Sequence, residues 1–125
     1  MIEETTNMAV DTSLNARKYK ILVIEDTPFM RELLKKSMPQ WEIYEANDGE
    51  DGLRKARRYT PDLIILDLAL PKMDGFQVCH ELKDDPITFN IPVIILTAST
   101  DSETEIKAIE AGADDFMPKP FKGPN

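Results

Sequence analysis

The sequence predicts an α/β fold, a parallel sheet with helices packed on both of its faces. Ile21-Leu22-Val23-Ile24, Leu63-Ile64-Ile65-Leu66 and Val93-Ile94-Ile95-Leu96 are continuous apolar runs. A strand that meets solvent on one side alternates apolar with polar residues, so runs without alternation suit strands buried on both faces. Between the runs, apolar residues return at helical spacing, and the chain reads as strand then helix four times with a fifth strand to follow. Its 125 residues suit one domain whose core needs neither disulfides nor metal staples.

Residues 1–18 mix Glu, Thr, Asn, Ser and Asp with isolated Met8, Val10 and Leu14, too sparse a pattern for a buried face. They are expected to form a flexible leader ahead of a folded domain at 19–125. The first strand ends in Glu25-Asp26, and Thr27-Pro28 suit the N-cap and the first position of a helix. Met30, Leu33, Leu34 and Ser37 or Met38 mark that helix, and Pro39 stops it. Residues 41–46 are shorter and more polar, as in an edge strand. Asn47-Asp48 can cap a helix whose Gly49, Gly52, Leu53 and Ala56 share a face, small residues that let it lie close on the sheet. Arg54, Lys55, Arg57 and Arg58 point the other way, a solvated basic face.

The central run delivers Asp67 to its end and is bounded by Thr60-Pro61 and Asp74-Gly75. Phe76, Val78, Cys79 and Leu82 form a third helical stripe, closed by Asp85-Pro86. Cys79 and His80 have no further Cys or His to complete a zinc site and read as a core thiol and a surface imidazole. The fourth strand, 92–96, ends in Thr97-Ala98-Ser99. Asp101 or Ser102 opens a helix expected to turn Ile106, Ala108 and Ile109 inward, with Gly112 as its left-handed cap. Residues 113–117 supply a last short strand, followed by Pro118-Lys119-Pro120-Phe121.

The charge balance, 15 Lys+Arg against 23 Asp+Glu for a net −8, repels nucleic-acid backbones and anionic membrane surfaces. Direct nucleic-acid and membrane partners are therefore disfavoured. The single Cys79 makes no intramolecular disulfide, residues 1–10 lack a secretory pattern, and no apolar stretch approaches the ~20 residues needed to cross a bilayer. A cytoplasmic protein is expected.

Parallel sheets gather their ligands at the carboxyl ends of the strands. Glu25-Asp26, Asp67, Thr97 and Lys119 all follow apolar runs, so the fold places them on one edge. Carboxylates crowded together either raise a pKa or recruit a hard cation with oxygen ligands, typically Mg²⁺ with several waters. Magnesium in turn invites a phosphoryl group. Asp67, the lone acid of the central strand, is placed to attack phosphorus and form an aspartyl phosphate; Glu25 and Asp26 hold the metal, while an ammonium and a hydroxyl neutralise the transferring oxygens.

Glu25-Asp26, Asp67 with Pro71-Lys72-Met73-Asp74-Gly75, Leu96-Thr97-Ala98, Gly112-Ala113-Asp114-Asp115-Phe116 and Lys119-Pro120-Phe121 stand in an order that closely resembles the receiver domain of two-component response regulators. That family includes the single-domain chemotaxis regulator. The resemblance implies a flavodoxin-like, doubly wound five-stranded sheet in the order 2-1-3-4-5. It implies Asp67 as acceptor of a phosphoryl group from a histidine kinase or phosphotransfer protein, and an output domain or protein downstream. Asp26, Asp67 and the Ala69 backbone carbonyl would hold Mg²⁺, or Mn²⁺ in its place, with Glu25 acting through water. Thr97 and Lys119 would bind the phosphoryl group and Phe116 would be the aromatic switch, limited to packing because it lacks a phenolic oxygen. Lys119-Pro120 matches a peptide bond that is usually cis in the family. The domain would be a regulatory phosphoacceptor that assists its own phosphorylation and dephosphorylation, not an enzyme acting on other molecules.

The family normally continues into a fifth helix beside the first, whereas this sequence ends four residues after Phe121. The expectation is a receiver domain at 19–125 lacking its C-terminal helix, cut from a longer protein or covered by another chain, with self-association through the uncovered sheet face. Three rival functions are distinguishable. An aspartyl-phosphate phosphatase of the haloacid dehalogenase type needs a second acid two residues after the nucleophile, where this chain has Ala69. A flavin or dinucleotide binder needs a phosphate loop after the first strand, where Glu25-Asp26 stand. A degenerate receiver serving as a phosphorylation-independent binding module would not need the acid, threonine and lysine set that is retained here.

Overall fold

The apolar runs become strands because alternate residues of each are buried in opposite directions. In the computed structural model, which describes residues 18–119, the order is β1 (Lys20–Ile24), α1 (Pro28–Ser37), β2 (Glu42–Ala46), α2 (Gly49–Tyr59), β3 (Leu63–Asp67), α3 (Gly75–Asp84), β4 (Val93–Thr97), α4 (Ser102–Glu110) and β5 (Asp115–Pro118). The strands form one sheet in the order β2-β1-β3-β4-β5, every described pair parallel. Leu22 and Ile24 of β1, Ile64 and Leu66 of β3, and Val93 and Ile95 of β4 pack on one face with Ala56, Val78, Cys79, Leu82, Ala108 and Ala111, side chains of α2, α3 and α4 and the residue that ends α4. Ile21, Val23, Ile65 and Leu96 pack on the other with Met30 and Leu34 of α1. The two faces account for the missing polar alternation.

Three helices begin on an aspartate whose side chain accepts from the backbone three residues on: Asp48 from Asp51, Asp74 from Gln77 and Asp101 from Thr104. Asp74 is therefore the cap of α3. Thr27 stands at the N-cap of α1 with Pro28 after it, but makes no side-chain capping bond; its hydroxyl lies 3.5 Å from Asp26 instead. Glycine lets α2 lie close on the sheet as expected, for a Cβ on Gly52 would stand 2.5 Å from Ile24 Cδ1. Gly112 takes φ +93° just past α4, the left-handed cap read from the sequence.

Two details differ from the sequence reading. In α4, Ile106 and Ile109 face outward, 54% and 65% exposed, and Ala108 alone of the three expected residues is buried. Contact runs through Ala108 and Ala111, whose small side chains bring the helix down on the sheet and leave the isoleucines off that line. The last strand begins at Asp115, because Asp114 is drawn aside: its carboxylate accepts from Val93 N at 2.8 Å and pairs with Lys83 at 2.7 Å. The 1–18 leader apart from Lys18, residues Pro120 and Phe121, and the question of a fifth helix lie outside the described residues. Among the described residues no helix is long and apolar enough to cross a membrane.

Candidate functional site

The parallel register sets the site. Ile24 pairs with Leu66, Asp67 with Leu96, and Thr97 with Pro118, so the residues that follow β1, end β3 and β4 and follow β5 meet on one edge. Lys119 is drawn in by its own amide, which donates to Thr97 O at 2.8 Å. Glu25, Asp26 and Asp67 each bring a carboxylate oxygen within 4.8 Å of the others. Lys119 Nζ stands 3.0 Å from Asp67 Oδ1 and 3.8 Å from Glu25 Oε1. Glu25, Asp67 and Thr97 are buried, and Asp26 is exposed at the mouth.

Burial pushes both inner carboxyls up from their ordinary range, and the charge of Asp67 adds to the effect on Glu25. Lys119 opposes both shifts. Burial alone would push its ammonium down, but the bond to Asp67 and the surrounding carboxylates outweigh it and hold the ammonium above its usual value. One lysine does not satisfy the cluster. Glu25 Oε2 accepts from Thr27 N at 3.1 Å, while Oε1 is buried with no hydrogen-bond partner. An orphaned buried oxygen among carboxylates that burial holds high is what a hard divalent cation with oxygen ligands would relieve, so the donor set fits one.

Around this centre, Ala69 N reaches Asp67 Oδ1 at 3.4 Å and Thr97 Oγ1 accepts from Ser99 N at 3.1 Å. The threonine hydroxyl is thus engaged with its own turn. Phe116 lies opposite Ile95 in the ladder, half-buried against the core beneath the site. Lys119-Pro120 reaches outside the described residues, so its geometry does too. The structure brings Glu25, Asp26, Asp67 and Lys119 together at this edge and adds a part for Gly75, which the sequence offered as a turn break and as the end of the Pro71-to-Gly75 segment. A Cβ there would stand 2.7 Å from Asp67 O and 2.7 Å from Leu68 Cα, and Gly75 N donates to Leu68 O at 2.9 Å. The start of α3 presses on the backbone that carries Asp67, and any side chain larger than glycine's fits only if that backbone shifts.

Residues 21–125 match the family described as the response regulator receiver domain. Among curated proteins, the chain is 44% identical over 104 residues to the response regulator PleD of Caulobacter vibrioides, covering 82% of this chain and 23% of that protein. It is 40% identical over 104 residues to the alkaline phosphatase synthesis transcriptional regulatory protein PhoP of Bacillus subtilis, covering 82% of this chain and 42% of that one. Among solved structures, the receiver domain of a sensor histidine kinase from Pseudomonas aeruginosa, with a magnesium ion coordinated in its active-site cleft, superposes with a TM-score of 0.77 at 28% identity, covering 85% of this chain and 88% of that one. A flavodoxin-like receiver fold with an acidic cluster at its strand ends defines a regulatory phosphoacceptor. The chain belongs to the response regulator receiver domain family of two-component signalling. It spans less than half the length of these curated relatives.

Proposed function

We propose that Asp67 accepts a phosphoryl group from a histidine kinase or phosphotransfer protein, with magnesium or manganese bound, and that this switches a protein-interaction surface read by an output domain or partner. The observation that carries it is the pairing of the buried Asp67 with Lys119 at 3.0 Å beside the orphaned Glu25 Oε1. An Asp67 carboxylate oxygen attacks phosphorus, a new O–P bond forms, the P–N bond of the phosphohistidine breaks, and the leaving imidazole keeps the electron pair and takes a proton from solvent. Asp26, Asp67 and the Ala69 carbonyl would hold the cation, with Glu25 behind them, and when bound it neutralises charge on the transferring oxygens. Lys119 follows the new phosphoryl oxygens as their fixed cation. Thr97 leaves Ser99 N to donate its hydroxyl to them, and Phe116 moves inward as it does, carrying the signal by packing alone.

The domain occupies 19–125, its leader 1–18 lies outside it, its surroundings are cytoplasmic, and it assists its own phosphorylation and dephosphorylation. Replacing Asp26 by Asn removes a charged ligand and is expected to weaken Mg²⁺ binding by at least an order of magnitude. Calorimetric titration checks this, and unchanged affinity would pass the ligand role to Glu25.

Hydrolysis of the aspartyl phosphate is quickened by a side chain that orients the attacking water. Ala69 and Ser99 flank the acceptor and the threonine; the first has no polar group, and the Ser99 hydroxyl is turned to Asp101 at 2.9 Å. Slow self-dephosphorylation is expected, and Ala69→Asn should speed loss of the label several-fold. A decay rate indifferent to that change would reject the idea.

A further inference from the structure

Asp26 is exposed, and among the described residues its carboxylate accepts a single long bond, from Thr27 Oγ1 at 3.5 Å. A side chain so lightly held takes its place from the backbone that carries it. The peptide plane joining Glu25 to Asp26 contains one carbonyl, that of Glu25, and fixing that oxygen fixes the Asp26 amide and Cα with it. Arg31 does this: its Nη1 donates to Glu25 O at 2.7 Å. The Glu25 amide donates to Ala46 O at 2.9 Å, so the residue is tied on both sides just where the β1 ladder stops.

Arg31 is itself braced. Its Nε donates to Glu45 Oε1 at 3.0 Å, and Glu45 Oε2 pairs with Lys35 Nζ at 3.1 Å. Against the effect of burial, Lys35 and Arg31 hold the Glu45 carboxyl below its usual range, which keeps the brace charged. Glu45 lies on β2 opposite Val23, so one planar guanidinium ties α1 and β2 to the residue that follows β1.

We propose that Arg31 is a positioning residue for the metal-binding acidic pair: through the Glu25 carbonyl it aims the Asp26 carboxylate at the cation, with Glu45 as its brace. This rests on the metal reading above. It also has a distinctive sign. Arg31 is a cation beside a cation site, so by charge alone its removal would tighten metal binding. If it positions Asp26, removal loosens it.

The test uses the full 125-residue chain with Arg31→Met, which removes charge and donors, and Arg31→Lys, which keeps the charge and one route to Glu25 O. Mg²⁺ affinity is titrated by calorimetry, and amide hydrogen exchange is followed at Glu25 and Thr27 in the metal-free protein, with Leu66 as a core reference. Arg31→Met is expected to weaken Mg²⁺ binding roughly tenfold or more, with Arg31→Lys recovering part of the loss. Exchange should quicken at Glu25 and Thr27 but not at Leu66. Unchanged or tighter Mg²⁺ binding by folded Arg31→Met overturns the proposal. If wild type itself takes no magnesium, the metal reading falls, and the exchange arm decides alone: equal protection at Glu25 and Thr27 in wild type and variant overturns the positioning role. Should Arg31→Met fail to fold, Glu45→Gln, which leaves Arg31 with a neutral brace, is read by the exchange arm, because losing an anion would by itself weaken metal binding: faster exchange at Glu25 and Thr27 supports the role, and protection equal to wild type overturns it.

Discussion

Incubated with acetyl phosphate and Mg²⁺, the wild-type chain is expected to gain one phosphoryl group by intact mass, and Asp67→Asn none. An amide has no anionic oxygen to attack phosphorus, and asparagine keeps the size and the backbone of the acceptor, so the fold is left in place. The small donor matters because it needs no kinase: the C–O–P anhydride supplies phosphorus with a good leaving group, and only the domain's own residues assist. Lys119→Met should label more slowly than wild type, since the ammonium 3.0 Å from Asp67 is lost while the nucleophile remains. Equal labelling of wild type and Asp67→Asn would remove Asp67 from the acceptor role. A chain that takes no label while still binding a partner would favour the phosphorylation-independent module.

Gly75→Ala is expected to cost about 1–3 kcal/mol of stability, although alanine is the better helix former by up to about 1 kcal/mol. The sign follows from what the added Cβ meets. Its neighbours are Asp67 O and Leu68 Cα, each at 2.7 Å, and both are backbone, so relief requires moving the end of β3 or the start of α3. A Cβ on Gly49 meets Val78 Cγ2 at 2.7 Å and Met73 Cβ at 3.2 Å, side-chain atoms with one contact under 3.0 Å where Gly75 has two on backbone, and Gly49→Ala should be milder though not free. Urea unfolding of the two variants checks the order. Gly75→Ala should also slow acetyl phosphate labelling, because the displaced backbone carries the nucleophile. An unfolding midpoint equal to wild type would mean that the contact at Gly75 yields without cost.

The strands and their edge were legible because burial on both faces leaves runs with no polar residue to turn outward, Ile21 to Ile24, Leu63 to Leu66 and Val93 to Leu96, and their shortness and flanking breaks separate them from a buried helix. Once the sheet is parallel, Asp67, Thr97 and Lys119 must share an edge, so most of the site followed from the strand count. What was not legible depends on distances across the fold. Ile106 and Ile109 look like core residues in one dimension, and the sequence does not tell that Ala108 and Ala111 make the contact instead. Gly75 resembles any Asp-Gly turn until α3 is seen resting on Leu68. Arg31 carries no local mark, because its partners are Glu25, six residues back, and Glu45 on another strand. Whether a fifth helix follows and how Lys119-Pro120 is arranged, both expectations drawn from family resemblance, concern residues outside the described 18–119.

The chain's one cysteine, Cys79, sits in α3 with no exposed surface, and burial pushes its thiol up to about 11. A disulfide reagent at neutral pH therefore meets almost no thiolate until α3 lifts from the sheet. With reagent in excess, the rate of its uptake becomes the rate of opening, read without denaturant. The domain thus contains its own stopwatch: timing the thiol before and after a phosphodonor is added would show whether a change at one end of the strands alters the loosening of a helix packed against their middle.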